Sequence, residues 1–123
     1  MKDCHVLVVE DDPDLRELIA EILVGDGFPV ETASNGLAAL QRMRSGYAPD
    51  VIMTNLLMPV LDGYALSAEL QRHSGWDKIP LIVLTTGKVK PEALTKVQSV
   101  LMKPIDIETL LSKVKMACRS RQC

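Results

Sequence analysis

Residues 6–23 read VLVVEDDPDLRELIAEIL, and the change of rhythm inside this stretch decides the fold. Val6 to Val9 is a continuous apolar run, the pattern of a strand covered on both faces, as in parallel sheets. Beyond Glu10-Asp11-Asp12 the period changes. Leu15, Leu18, Ile19, Ile22 and Leu23 recur at three and four, forming one apolar stripe of a helix. Asp12 supplies an N-cap oxygen, and Pro13 takes the first turn, where its missing N–H does no harm. Gly25 and Gly27 flank the exit.

The same unit repeats along the chain. Val51-Ile52-Met53, Leu81 to Leu84 and Val100-Leu101-Met102 read as further buried strands. Pro29 to Ala33 opens with proline and alternates, which suits an edge strand. Ser34-Asn35-Gly36 opens a second helix with Leu37, Leu40 and Met43 on one face and Gly46 at its end. A third helix runs from about Gly63 to His73 through Leu66 and Leu70. Pro91 starts a short fourth, with Leu94 and Val97 inward. Asp106 caps a fifth, striped by Ile107, Leu110, Leu111, Val114 and Cys118. Five strand–helix units with short connections predict an α/β fold: a doubly wound, five-stranded parallel sheet with helices on both faces. Residues 1–123 are expected to form one domain with no output domain in this chain.

Composition narrows the function. The 47% hydrophobic content and net charge of −2 exclude a disordered chain and any global attraction to nucleic acid or anionic lipid. No run approaches the length of a membrane span, and no signal peptide follows Met1, so a cytoplasmic location is expected. Cys4, Cys118 and Cys123 are odd in number and form no CxxC pair, which predicts reduced thiols. Only 3% of residues are aromatic, too few to build stacking platforms for bases.

In open α/β sheets, function collects beyond the carboxyl ends of the strands. Those ends carry Glu10-Asp11-Asp12, then Thr54-Asn55 followed by LLMP and Asp62-Gly63, then Thr85-Thr86-Gly87, and finally Lys103-Pro104. Singly, each has a bland account: a cap, a solvated carboxylate, a hydroxyl on its own backbone, a surface ion pair. Together they gather carboxylates, an amide, a hydroxyl and an ammonium around one crevice. Paired carboxylates with a further oxygen suit a hard cation such as Mg²⁺, and the hydroxyl and ammonium suit phosphoryl oxygens.

This constellation resembles the receiver domain of two-component response regulators, through VLVVEDDPDLRELIAEIL, PDVIMTNLLMPVLDG, IPLIVLTTG and LMKPI. The resemblance implies a flavodoxin-like sheet of order 2-1-3-4-5. It implies that Glu10 and Asp11 help hold Mg²⁺, joined by the Asn55 side chain and the Leu57 carbonyl, with Asp12 left as the helix cap. Thr85 then takes the place of the phosphate-sensing hydroxyl and Lys103 that of the phosphate-binding lysine. The Lys103–Pro104 bond is expected to be cis, and Gly63 fits the family's turn into the third helix. A histidine kinase, a phosphotransfer protein or another signalling protein is the implied partner. The oligomeric state stays open.

The departure is at position 55, where the resemblance places the phosphoryl-accepting aspartate and this chain has asparagine. A neutral amide oxygen is a poor nucleophile, and the lost charge weakens Mg²⁺ binding, so the metal is expected to be weak or absent. Three explanations stand: an atypical receiver working without aspartyl phosphate, an engineered Asp→Asn change in an ordinary one, or phosphoryl transfer to Thr54, Thr85 or Asp11. Two further departures favour the first. Val100 replaces the aromatic the family usually carries three residues before the lysine, and the segment between Thr85 and Lys103 is shortened. The expected role is a protein-interaction module rather than an enzyme.

Other classes fare worse. Flavin phosphate would meet three carboxylates at Glu10-Asp11-Asp12, and no GxGxxG follows a strand. Phosphate-ester hydrolysis would need Asp11 or Asp12 as nucleophile, and a solvated acidic turn is the plainer account. The basic residues Lys113, Lys115, Arg119 and Arg121 suit a helix C-terminus, and no helix-turn-helix follows them, so direct DNA binding is not expected.

Overall fold

The computed structural model describes residues 3–87 and 97–122. One parallel sheet holds β1 (Val6–Val9), β2 (Val30–Ala33), β3 (Val51–Asn55), β4 (Leu81–Thr85) and β5 (Val97–Met102), in the order β2-β1-β3-β4-β5. The described helices are α1 (Pro13–Gly25), α2 (Gly36–Arg44), α3 (Gly63–Gln71) and α4 (Ile107–Gln122). The doubly wound sheet and its implied order are both observed. The short helix expected from Pro91, with Leu94, falls outside the described residues. Val97, assigned to that helix by its apolar period, instead opens β5 opposite Leu81. Gln98 and Ser99 interrupt the apolar run there, as an edge strand permits, and so hid the start of the strand.

Strand alternation divides the core. Val6 and Val8 of β1, with Val51, Met53, Ile82 and Leu84, pack under α1 and α4. Leu7 and Val9, with Ile52, Leu81 and Val83, pack under α2 and α3. Both faces being covered explains why every residue of β1, β3 and β4 is buried. Each helix opens on an acceptor side chain. Asp12 takes the Asp14 N–H at 3.0 Å, Asn35 the Ala38 N–H at 2.8 Å, Asp62 the Ala65 N–H at 2.9 Å, and Asp106 the Thr109 N–H at 2.9 Å.

The helical stripes are narrower than their apolar periods suggest. Leu18, Leu37 and Ile107 are exposed by 52%, 39% and 52%, while Ile19, Leu23, Leu40, Met43, Leu110 and Val114 carry the contacts. Leu37 and Ile107 stand in the first turns of α2 and α4, at the rim of their layers. Leu18 instead lines a groove of about 290 Å³ with Leu15, Lys103, Pro104 and Ile105. The cysteines also differ from the expected reduced thiols. Cys4 and Cys118, both fully buried, are joined in a disulfide with Cα atoms 6.0 Å apart. The residue leading into β1 and the last turns of α4 meet in one cluster, which a separation of 114 residues conceals. Cys123 lies outside the described residues. The Lys103–Pro104 bond is cis. No helix among the described residues is long and apolar enough to cross a membrane.

Candidate functional site

β1 and β3 are neighbours in the sheet with Val9 opposite Thr54, so Glu10 and Asn55 leave the two strands side by side. β4 and β5 end at Thr85 opposite Met102, which brings Lys103 to the same edge, its N–H donating to the Thr85 carbonyl at 2.9 Å. This is the point where the chain order reverses between β1 and β3, and a crevice is expected there.

Glu10 is the centre. It is fully buried, yet both carboxylate oxygens have donors. Lys103 Nζ lies 3.1 Å from Oε1; the Asn55 Nδ2 lies 3.0 Å and the Asp12 N–H 3.1 Å from Oε2. A buried carboxylate is tolerated only when paired and hydrogen-bonded in this way. Asn55 Nδ2 also donates to Asp11 Oδ1 at 3.0 Å, so one amide nitrogen bridges the two acids. Burial raises the Asp11 carboxyl, but hydrogen bonding with Glu10, the Asn55 amide and its own backbone, together with the Lys103 ammonium, outweighs this and holds it below its ordinary value. Arg16, one turn into α1, donates from Nη1 to the Glu10 carbonyl at 2.9 Å. Sequence reading passed over Arg16; its place four residues after the Asp12 cap, on the turn that faces the strand end, is the signal that could have found it.

The network thus joins Glu10, Asp11, Asn55 and Lys103, and leaves three named residues outside it. Thr85 is buried at the end of β4, but its hydroxyl accepts the Gly87 N–H at 3.1 Å, turned onto its own loop. The Thr54 hydroxyl donates to the Asn55 carbonyl at 3.0 Å. Leu57 is on the loop after β3 and is 64% exposed.

That loop is tightly held. The Gly63 N–H donates to the Leu56 carbonyl at 2.7 Å, and a Cβ at Gly63 would stand 2.9 Å from Leu56 Cα and 3.0 Å from the Asn55 carbonyl. Only glycine lets α3 begin this close to the end of β3. Earlier in the loop, Val60 has a φ of 75°, and the Leu61 N–H donates to the Pro59 carbonyl at 3.0 Å, a three-residue turn of the strained kind. The Leu61 carbonyl then accepts the Gly36 N–H at 3.0 Å, tying the loop to the start of α2.

The Mg²⁺ implied by the resemblance does not fit the site as arranged. Both Glu10 oxygens are engaged, and Asn55 presents N–H hydrogens, not an oxygen, to the space between the acids.

Comparison with known proteins gives the same fold and strand-end residues a family. The model of the response regulator receiver domain matches residues 6–115. The "Probable transcriptional regulator ycf29" of Porphyra purpurea is 35% identical over 115 residues, covering 90% of this chain and 54% of the relative. The chain thus spans about half the length of the first curated relatives it matches. Among solved structures, the signal receiver domain of a signal transduction histidine kinase from Syntrophus aciditrophicus is 32% identical with a TM-score of 0.82, covering 94% of this chain and 90% of that one. The Francisella response regulator 1452 receiver domain is 28% identical with a TM-score of 0.84, covering 94% and 97%. With a sheet of order 2-1-3-4-5, acids after β1, a lysine before a cis proline after β5, and a family match over nearly its whole length, this chain belongs to the response regulator receiver domains of two-component signalling.

Proposed function

We propose that this receiver domain works without aspartyl phosphate at position 55, as a cytoplasmic protein-interaction module held in one state or switched by partner binding, and not as an enzyme. The observation that carries the reading is the Asn55 carboxamide, which donates to Glu10 and Asp11 where phosphotransfer needs an anionic oxygen free to attack. Receiver domains generally bind Mg²⁺ for phosphorylation; here the ion is weak or absent. Two features support the reading. The Thr54 hydroxyl donates to the Asn55 carbonyl and the Thr85 hydroxyl accepts the Gly87 N–H, so neither is paired through these bonds with a base that would activate it as a substitute acceptor. Val100, on β5 and partly exposed, has no ring to report a phosphorylated state. The partner is a histidine kinase, a phosphotransfer protein or another signalling protein. The test is the intact mass of the wild-type chain after incubation with acetyl phosphate and Mg²⁺. No gain is expected; a gain of one phosphoryl unit would overturn the reading.

A further inference from the structure

We infer that the Asn55 carboxamide takes the place of a divalent cation, so that this chain holds its acid pocket together with its own N–H donors, the Lys103 ammonium among them, and does not admit Mg²⁺. The inference rests on the receiver reading and adds to it what neutralises the pocket.

The argument begins with charge. Glu10 and Asp11 bring two carboxylates to one strand end, and Glu10 has no access to solvent. Such a pair needs positive charge or donors between its members. A metal would supply them as a cation; here Lys103 and Asn55 supply them as N–H groups. The ammonium of Lys103, its side chain 18% exposed, neutralises Glu10 from one side. The Asn55 amide nitrogen carries two hydrogens, and its two carboxylate partners, each at 3.0 Å, use both.

This arrangement also fixes the orientation of the amide. Turned over, it would aim its carbonyl oxygen at two carboxylate oxygens and leave both acids without those donors. Offering that oxygen to a metal therefore requires the loss of both bonds, and the ion must displace Lys103 as well to reach Glu10 Oε1. Aspartate at position 55 has the opposite requirement. It donates nothing, adds a third negative group to the same space, and leaves the pocket in need of a cation. One nitrogen in place of one oxygen thus changes what stabilises the site, not only its nucleophilicity.

The test is thermal unfolding of the wild type, Asn55→Asp and Asn55→Ala, each in EDTA and in millimolar MgCl₂ at constant ionic strength. The wild type should melt at the same temperature in both. Asn55→Asp loses two charge-assisted hydrogen bonds and gains a repelling charge, so it should melt about 10 °C lower in EDTA. MgCl₂ should restore much of that loss; a variant unfolded in EDTA that folds with Mg²⁺ is the same result. Asn55→Ala should lose stability in both media without recovery. A saturable rise in the wild-type melting temperature with MgCl₂ would overturn the inference, as would an Asn55→Asp chain as stable as wild type in EDTA. A wild type that binds Mg²⁺ yet gains no phosphoryl mass would defeat this inference and leave the functional reading standing. Phosphoryl gain by the wild type defeats that reading instead.

Discussion

Val60 is the place where the loop after β3 conflicts with its own sequence. A β-branched residue at a φ of 75° brings its Cβ against the backbone, and it sits at the centre of a turn closed by the Leu61 N–H on the Pro59 carbonyl. Strain of this kind costs about 1–3 kcal/mol. The side chain offsets none of it by burial, being 72% exposed. Val60→Gly removes the strain but loosens the unfolded chain by about 0.5–1 kcal/mol. The net expectation is a gain of about 1 kcal/mol. A chain of this length unfolds with an entropy of about 0.26 kcal/mol/K, so the melting temperature should rise by about 4 °C. The assay is calorimetry with a urea titration, in which the midpoint should move and the slope should not. A Val60→Gly chain that melts at or below the wild-type temperature would refute the assignment of strain to this residue.

Two more outcomes follow from the same geometry. Gly63→Ala places a methyl against Leu56 Cα and the Asn55 carbonyl, so it should cost about 1–3 kcal/mol by urea unfolding and shift the amide resonances of Asn55 and Glu10. Asp106 accepts from both the hydroxyl and the N–H of Thr109, and these bonds lower its carboxyl below the ordinary value. A lowered folded pKa means that its contribution is complete above the unfolded value and is lost as the pH falls through the folded one. The start of α4 should therefore hold at neutral pH and fray only in acid, seen as a fall in the protection of the Thr109 amide relative to a free amide at the same pH. Asp106→Ala should leave that protection low at both pH values.

Much of the fold was legible because local and global signals agree. β1, β3 and β4 are covered on both faces, so their runs are wholly apolar, and Asp12, Asn35 and Asp106 cap helices where their spacing indicates. β5 was harder, since an edge strand accepts Gln98 and Ser99 within its span. Leu18, Leu37 and Ile107 follow the helical period yet stand in solvent, because period alone does not measure how wide a stripe the sheet covers. The Cys4–Cys118 disulfide depends on which ends of the chain meet, and nothing local in either segment records that.

The site was legible as an inventory, not as a network. Glu10, Asp11, Asn55 and Lys103 were named from strand ends, and the structure brings them together. What the sequence could not show is direction. It offered the Asn55 carbonyl to a metal, whereas the structure turns the amide nitrogen inward, since two carboxylates facing one amide select its donor end. It grouped Thr85 with the pocket without showing that the hydroxyl accepts the Gly87 N–H two residues on. Such choices are made by competition among donors and acceptors in three dimensions.

The bridge itself is open to direct observation through the Asn55 side-chain amide in a ¹H–¹⁵N spectrum, assigned by its absence in Asn55→Asp. With both hydrogens bonded to carboxylates, the pair should lie away from the positions of exposed amides, exchange slowly, and stay in place as MgCl₂ is added. A pair at exposed-amide positions, or one that moves to saturation with Mg²⁺, would contradict the claim that this nitrogen stands in for the cation.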